Sequence, residues 1–509
     1  MFKISEIRGY TAMRRQFLIF TLSLSGFLIS CNTWGPIKNI LQENMTQPVR
    51  SRLVFPPQQS VTNAVLSPQE VEVRLGNTSI KGMGYHQGLL GPTLIANAGE
   101  QAQIKVQNQL KEPTNVHWHG LVVPADQDGH PEQLIAPSAS QTYLFQIKQA
   151  GGLYWYHPHP HNLTAKQAYL GLAGLFVVRD PLEAKLNLPV DSQEAFLVLQ
   201  DKRLENNALD YKPNQQDIMS GYLGQDILVN GQKNTQMQVF QGIYRLRILN
   251  GSNARVYNIA FDKETPFWII GGDGGLTETP YPSKAVLLGP GERLDLLADF
   301  SSHEAGSSLK LISQPFKGVK TQGQQAFSLL DIQIEKGPIK PYLIPNQLAT
   351  LEKIQTPQGT KTRSFELQGM KMSGVDAMPE MGHGSMMMPT GGNTIMRGMH
   401  TINGKTFDMK RIDETVPAGA SEIWVFDNSK GDEIHPMHLH GAQFQIIQRE
   451  GGRNSVFSHE KTRKDTVLLM PGEKVSIAVK FPDYKGKYVI HCHNLEHEDD
   501  GMMLNFELI

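Results

Sequence analysis

Leu468–Phe481 reads LLMPGEKVSIAVKF and is followed shortly by Tyr488-Val489-Ile490-His491-Cys492-His493. In Val475-Ser476-Ile477-Ala478-Val479 every second side chain can face a core, the period of a β-strand. The same pattern, an apolar pair, a Pro-containing turn and an alternating strand, recurs at Leu287–Phe300 (LLGPGERLDLLADF) and Leu134–Phe145 (LIAPSASQTYLF). The first copy leads into Tyr154-Trp155-Tyr156-His157-Pro158-His159, whereas the middle copy leads into no such His pair. This predicts three β-sandwiches of one kind, near 48–182, 183–345 and 360–509, with metal-binding chemistry in the outer two. The middle one is expected to be a spacer and wall. Short segments rich in Val, Ile, Leu and Tyr, broken by Gly, Pro and Asn, agree with an all-β fold, and no long amphipathic helix is evident.

A length of 509 residues fits about three domains of ~150 residues each. Apolar content of 39%, 19% charged residues and a formal charge of -1 fit a soluble globular protein and give no sign of a nucleic-acid or membrane-surface partner. Residues 1–31 read as an export address. Arg14-Arg15 precede an apolar run from Phe17 to Ile29 that is too short to span a bilayer comfortably, so a membrane anchor helix is the weaker reading. Arg14-Arg15-Gln16-Phe17-Leu18 resembles a twin-arginine signal, with Met13 as an alternative start, and Leu28-Ile29-Ser30-Cys31 resembles a lipoprotein cleavage site. The expected location is the periplasm, with a lipid anchor at Cys31 as the alternative. Loss or lipidation of Cys31 leaves Cys492 as the sole free thiol, so the exported chain has no intramolecular disulfide.

Seventeen His stand against two Cys. The candidate ligands form four clusters: His117-Trp118-His119, His157-Pro158-His159, His435-Pro436-Met437-His438-Leu439-His440, and His491-Cys492-His493 with His497 and Met502. One His-x-His is weak evidence, because a histidine usually needs no metal to explain it. Four in one chain are not weak. On a strand, residues two apart share a face, so each pair aims two imidazoles at one point while the residue between faces away. Applied to His491-Cys492-His493, this puts two imidazoles on one metal group and Cys492 on a second, opposite one. His435, Cys492, His497 and Met502 supply the two imidazoles, thiolate and thioether of a blue-copper electron-transfer site. Zinc would accept the first three, but it carries no electrons and leaves the soft Met idle. The other eight histidines, His117, His119, His157, His159, His438, His440, His491 and His493, are enough for a three-copper cluster with open positions for O2. One electron carrier plus three coppers can deliver the four electrons that O2 needs to reach water.

These clusters resemble the copper-binding signatures of multicopper oxidases, from about Pro92 to the C-terminus. Bacterial copper-efflux (cuprous) oxidases share the His-Trp-His-Gly-Leu element, the His-Glu-Asp neighbourhood, twin-arginine export and a Met-rich insertion. The resemblance implies three consecutive cupredoxin-like Greek-key β-sandwich domains and four copper ions. It implies type 1 copper on His435, Cys492, His497 and Met502, type 2 copper on His117 and His438, and a type 3 pair on His119, His157, His159, His440, His491 and His493.

Reducing O2 also consumes protons. Asp128 and Glu498 match acids given that role in the family, whereas Asp126, Asp499 and Asp500 read as ordinary loop charges. The insertion at 370–400 holds Met370, Met372, Met378, Met381, Met386, Met387, Met388, Met396 and Met399, far above what twenty Met in the whole chain would place there by chance. Thioethers prefer Cu(I), which makes this segment a collector of cuprous ions rather than a bland spacer. Met370, Met372, Asp376, Asp432 and Glu433 are the candidate substrate residues; Glu433 stands where the family tends to show Met. The main expectation is oxidation of Cu(I), protecting the periplasm from copper. The alternatives are a broader laccase or ferroxidase taking phenols or Fe(II), and a copper-storage protein without turnover. A monomer is expected, because the first and third domains can close the cluster between them.

Overall fold

The computed structural model describes residues 50–75, 78–205, 208–369 and 397–509. The export segment 1–31 with Met13 and Cys31, and the candidates Met370, Met372 and Asp376, lie outside the described residues.

Three successive sheet pairs make up the fold. The first joins a five-stranded sheet, which carries His117–His119 and Gly152–His157, to a three-stranded sheet of Thr62–Leu66, Gln101–Gln107 and Ser140–Gln146. Gln101–Gln107 alternates exposed and buried side chains, and its inward Ile104 and Val106 pack with Trp118, Tyr143, Phe145 and Phe176. The middle pair has seven and six strands, and the third has two sheets of five. Ser51–Arg52, expected with the first sandwich, instead pairs in parallel with Thr235 and Gln236 of the middle one.

The repeat noted in the sequence is a strand, a turn and a strand in the second and third copies: Ala285–Leu288 then Arg293–Asp299, and Thr466–Leu469 then Lys474–Lys480. In the first copy Ile135 forms a bridge with Thr114 before Ser140–Gln146 begins. Val475, Ile477 and Val479 all face the third core, as the alternation predicts. Arg293–Asp299 departs from it, being buried at nearly every position because structure covers the strand on both sides. The α-helices among the described residues have at most six residues. No described helix is long and apolar enough to cross a membrane.

Polar links hold the first and third sandwiches face to face. Tyr488 Oη donates to the Val123 carbonyl at 2.9 Å, and His130 Nε2 lies 2.8 Å from Asn505 Oδ1. Gly129 has φ +78°, and a Cβ there would stand 2.0 Å from the Val116 oxygen. The turn that brings Asp128 back against His117 therefore needs glycine.

Trp118 lies between two candidate ligands yet belongs to the first core, 5.2 Å from the Tyr143 ring and 5.4 Å from the Phe145 ring. Trp118→Ala is expected to cost ~3–5 kcal/mol and to lower the first thermal transition of the metal-free protein in calorimetry. An unchanged transition would remove Trp118 from the packing account.

Candidate metal centre

His117–His119 pairs antiparallel with Gly152–His157, placing His157 opposite His117. In the third sandwich His435–Leu439 pairs with Gly486–Cys492, placing His438 opposite His491 and Met437 opposite Cys492. Alternation sends Trp118 and Met437 into their cores and turns the histidines beside them toward the gap between the sandwiches.

Eight buried imidazoles meet in that gap. His117 Nε2 lies 3.3 Å from His438 Nε2, His159 Nε2 lies 3.2 Å from His491 Nε2, and His440 Nε2 lies 3.1 Å from the same His491 atom. His119 Nδ1 is 3.4 Å from His157 Nε2, and the His493 ring is 4.9 Å from that of His119. Burial, with neighbouring imidazoles adding to it, holds His119, His438 and His440 well below the ordinary imidazole range. Burial likewise takes His157 down to about 3, against a hydrogen bond to Pro158 that opposes the shift. These rings are therefore neutral, and converging ring nitrogens without protons are the donor set a soft or borderline cation requires. Both ring nitrogens of His493 are buried without a hydrogen-bond partner in the protein, which fits a metal-binding role for this ring.

Behind this cluster, Cys492 Sγ lies 3.6 Å from His435 Nδ1 and 3.8 Å from His497 Nδ1, and the two nitrogens are 3.3 Å apart. Met502 is buried in the same core as Cys492, and its carbonyl accepts the Cys492 N–H at 3.0 Å. Burial pushes the Cys492 thiol up, so a thiolate here calls for a metal in place of the proton. The strand thus presents Cys492 to one group of donors and its two neighbours to another.

The ring nitrogens turned away from the centre are tied back. His117 Nδ1 bonds the Asp128 carbonyl at 2.8 Å, His157 Nδ1 the Pro158 carbonyl at 2.9 Å, and His438 Nδ1 the Asp465 carbonyl at 2.8 Å. His440 Nδ1 is 2.7 Å from Asp128 Oδ2. Glu498 Oε2 and Oε1 lie 3.0 Å from His491 Nδ1 and 3.4 Å from His159 Nδ1. Both acids singled out in the sequence therefore touch the cluster, and burial raises the Asp128 carboxyl well above its usual range. His119 is reversed: its Nε2 points outward, 3.1 Å from Asp465 Oδ1 and 3.0 Å from Thr466 Oγ1.

Asp126 is exposed, as an ordinary charge would be. Asp499 and Asp500 differ from the loop reading, because both are buried in the helix Leu495–Asp500 that carries His497 and Glu498. Asp499 accepts the Ala165 N–H, and Asp500 accepts the N–H groups of Gly398, Met399 and His400. His400 is absent from the sequence-derived candidates; its sole signal was a place at the end of the Met-rich segment. Its ring stacks on His497 at 3.9 Å, its Nδ1 lies 2.8 Å from Asp500 Oδ2, and its Nε2 lies 3.2 Å from Glu433 Oε2. Burial opposes its charge, yet these two carboxylates raise its pKa to about 9. Glu433 Oε2 is 3.9 Å from His435 Nε2, while Asp432 is exposed. Both acids, with His435, line a cavity of about 280 Å³.

Comparison with known proteins agrees with this geometry. Multicopper oxidase family models match residues 68–183 and 382–508. The multicopper oxidase mco of Staphylococcus haemolyticus is 34% identical, over 83% of this chain and 82% of that protein. The solved McoA multicopper oxidase of Aquifex aeolicus is 29% identical with a TM-score of 0.79, covering 90% of this chain and 99% of its own. A structure from Campylobacter jejuni, described as a multicopper oxidase and a metallo-oxidase, is 30% identical with a TM-score of 0.76, over 90% and 96% of the two chains. The chain belongs to the multicopper oxidase family: three cupredoxin-like β-sandwiches forming a copper-binding oxidoreductase with O2 as electron acceptor.

Proposed function

We propose that this oxidase draws its electrons from Cu(I) and that its periplasmic role is copper detoxification. The carrying observation is the cavity against His435. Its walls include the carboxylates Asp432 and Glu433, and Leu367 is its one large apolar side chain, which suits a small cation better than a phenol. The Met-rich segment beside it in sequence supplies soft donors, and the metallo-oxidase of Campylobacter jejuni is a relative of matching description.

In this reading His435, Cys492, His497 and Met502 hold a type 1 copper, His117 and His438 a type 2 copper, and the other six cluster histidines a type 3 pair. Bound copper supplies one-electron redox chemistry and the four-electron reduction of O2 to water. The chain supplies the wiring and the protons. Cys492 is covalently continuous with His491 and His493, so an electron leaving the thiolate reaches the imidazole cluster through backbone. Asp128, raised by burial and 2.7 Å from His440 Nδ1, holds a proton at the cluster's edge, and Glu498 reaches the cluster from the other side, 3.0 Å from His491 Nδ1. We assign residues 1–31 to twin-arginine export into the periplasm, with lipidation at Cys31 as the variant, and take the enzyme to act as a monomer. The middle domain, near 183–345, carries no copper.

Oxygen uptake by the purified enzyme is expected to be fastest with Cu(I), slower with Fe(II) and slowest with a phenol; deletion of 370–396 should slow the Cu(I) reaction selectively. Unchanged Cu(I) turnover after deletion would end the collector reading, and preference for the phenol would favour a laccase.

Cys492→Ser should lose the blue thiolate-to-copper absorption together with O2 uptake. Unchanged uptake would revive copper storage without turnover.

Asp128→Asn should lower turnover by about 10²-fold. Because burial raises the Asp128 pKa, the acid keeps its proton to a higher pH than usual, and wild-type turnover should fall as pH rises through that raised value. An alkaline limb unchanged in the Asn variant would assign the proton elsewhere.

A further inference from the structure

His119 is the cluster imidazole whose outward nitrogen is Nε2, and the group holding that nitrogen traces back to the middle sandwich. Asp465 Oδ1 sits 3.1 Å from His119 Nε2. Both Asp465 oxygens accept from the Arg293 guanidinium, Oδ1 from Nη1 at 2.7 Å and Oδ2 from Nη2. Arg293 also donates through Nε to the Leu153 carbonyl of the first sandwich at 3.1 Å, and through Nη1 to the Gly291 carbonyl at 2.7 Å. Arg293, Asp465 and His119 are all buried. Little room exists for adjustment. A Cβ on Gly120 would stand 2.4 Å from Asp465 Oδ2, and one on Gly291 would stand 3.1 Å from His119 Cε1.

We infer that Arg293 is a positioning residue for the oxygen-reducing centre: acting through Asp465, it fixes His119 in the Nε2–H tautomer and turns its Nδ1 toward the copper cluster. A carboxylate with both oxygens engaged by a guanidinium can act only as an acceptor toward the imidazole, so the ring nitrogen facing it must carry the proton. That leaves the lone pair on Nδ1, 3.4 Å from His157 Nε2. A histidine whose outer nitrogen is tied in this way keeps one tautomer and one ring orientation. The middle sandwich, expected to be a spacer and wall, therefore braces the centre with a guanidinium that touches all three sandwiches. The inference rests on reading the eight histidines as copper ligands.

The test pairs two measurements on Arg293→Met, Arg293→Lys and Asp465→Asn. In the metal-free proteins, long-range proton–nitrogen NMR of labelled imidazoles reads the His119 tautomer directly, with His119→Gln assigning the signal. In the loaded proteins, copper per chain and the blue absorption at Cys492 are read together. Wild type should show His119 as Nε2–H. Arg293→Met and Asp465→Asn should shift it toward the other tautomer and weaken copper binding in the cluster about 10–100-fold, with the blue absorption retained. Arg293→Lys, which keeps the charge but not the two-pronged geometry, should fall between. If Arg293→Met is poorly folded, Asp465→Asn decides the matter alone. Variants with a lower melting temperature but an unchanged tautomer and copper content would make Arg293 merely structural and overturn the inference. A wild-type cluster that binds no copper would instead overturn the ligand assignment.

Discussion

Two-residue alternation along one buried strand is the constraint on which the centre depends. Gly486–Cys492 is locked by antiparallel ladders to His435–Leu439 on one side and to Met503–Leu508 on the other. A slip of one residue would exchange Cys492 with His491 and empty both donor groups, so the register is specified as tightly as any core position. Because the same ladder carries His438 opposite His491, fixing one strand fixes donors on the other. On the proposed copper assignment, electron transfer between the two donor groups needs no moving part, since backbone and the imidazoles on it already join them.

The converse problem is keeping so many imidazoles neutral and aligned in a dry interior. Burial lowers their proton affinity, which exposes lone pairs, but desolvated polar rings are costly unless their outer nitrogens are bonded. Backbone carbonyls at Asp128, Pro158 and Asp465 serve three of the rings. The Asp128 and Asp465 side chains serve two more. Tying the outer nitrogen selects the tautomer at the same time, so one set of bonds both stabilises the rings and prepares them for metal. In the second donor group His497 is tied in the same way, its Nε2 lying 3.0 Å from the Met219 carbonyl. His400, which is itself tied to Asp500, stacks on the His497 ring.

What could be read from the sequence was local. His-x-His spacing, Cys492 between two His and the Pro-turn repeat are properties of single strands, and alternation converts them into faces without knowledge of the fold. His400, Arg293 and Asp465 were invisible because their meaning lies in contacts between segments remote in the chain; Arg293 meets Asp465 across two sandwiches, and neither belongs to a cluster. Asp499 and Asp500 were misjudged for a related reason. Their run of charges resembles a solvated loop, but a short helix folds them under residues from Ala165 and from Gly398–His400. Arg293–Asp299 lost its expected alternation because its outer face is covered too, Arg293 by Asp465 and the Leu153 carbonyl and Leu297 by Leu188, Tyr342 and Leu348.

The most direct test of the coupling across Cys492 is an anaerobic reduction with Cu(I) followed by rapid mixing with O2, reading the blue absorption and the oxygen product in the same experiment. The account predicts that the colour returns as water forms, with four electrons taken per O2 and no hydrogen peroxide released. Peroxide as the product, or colour that returns without oxygen being consumed, would contradict it.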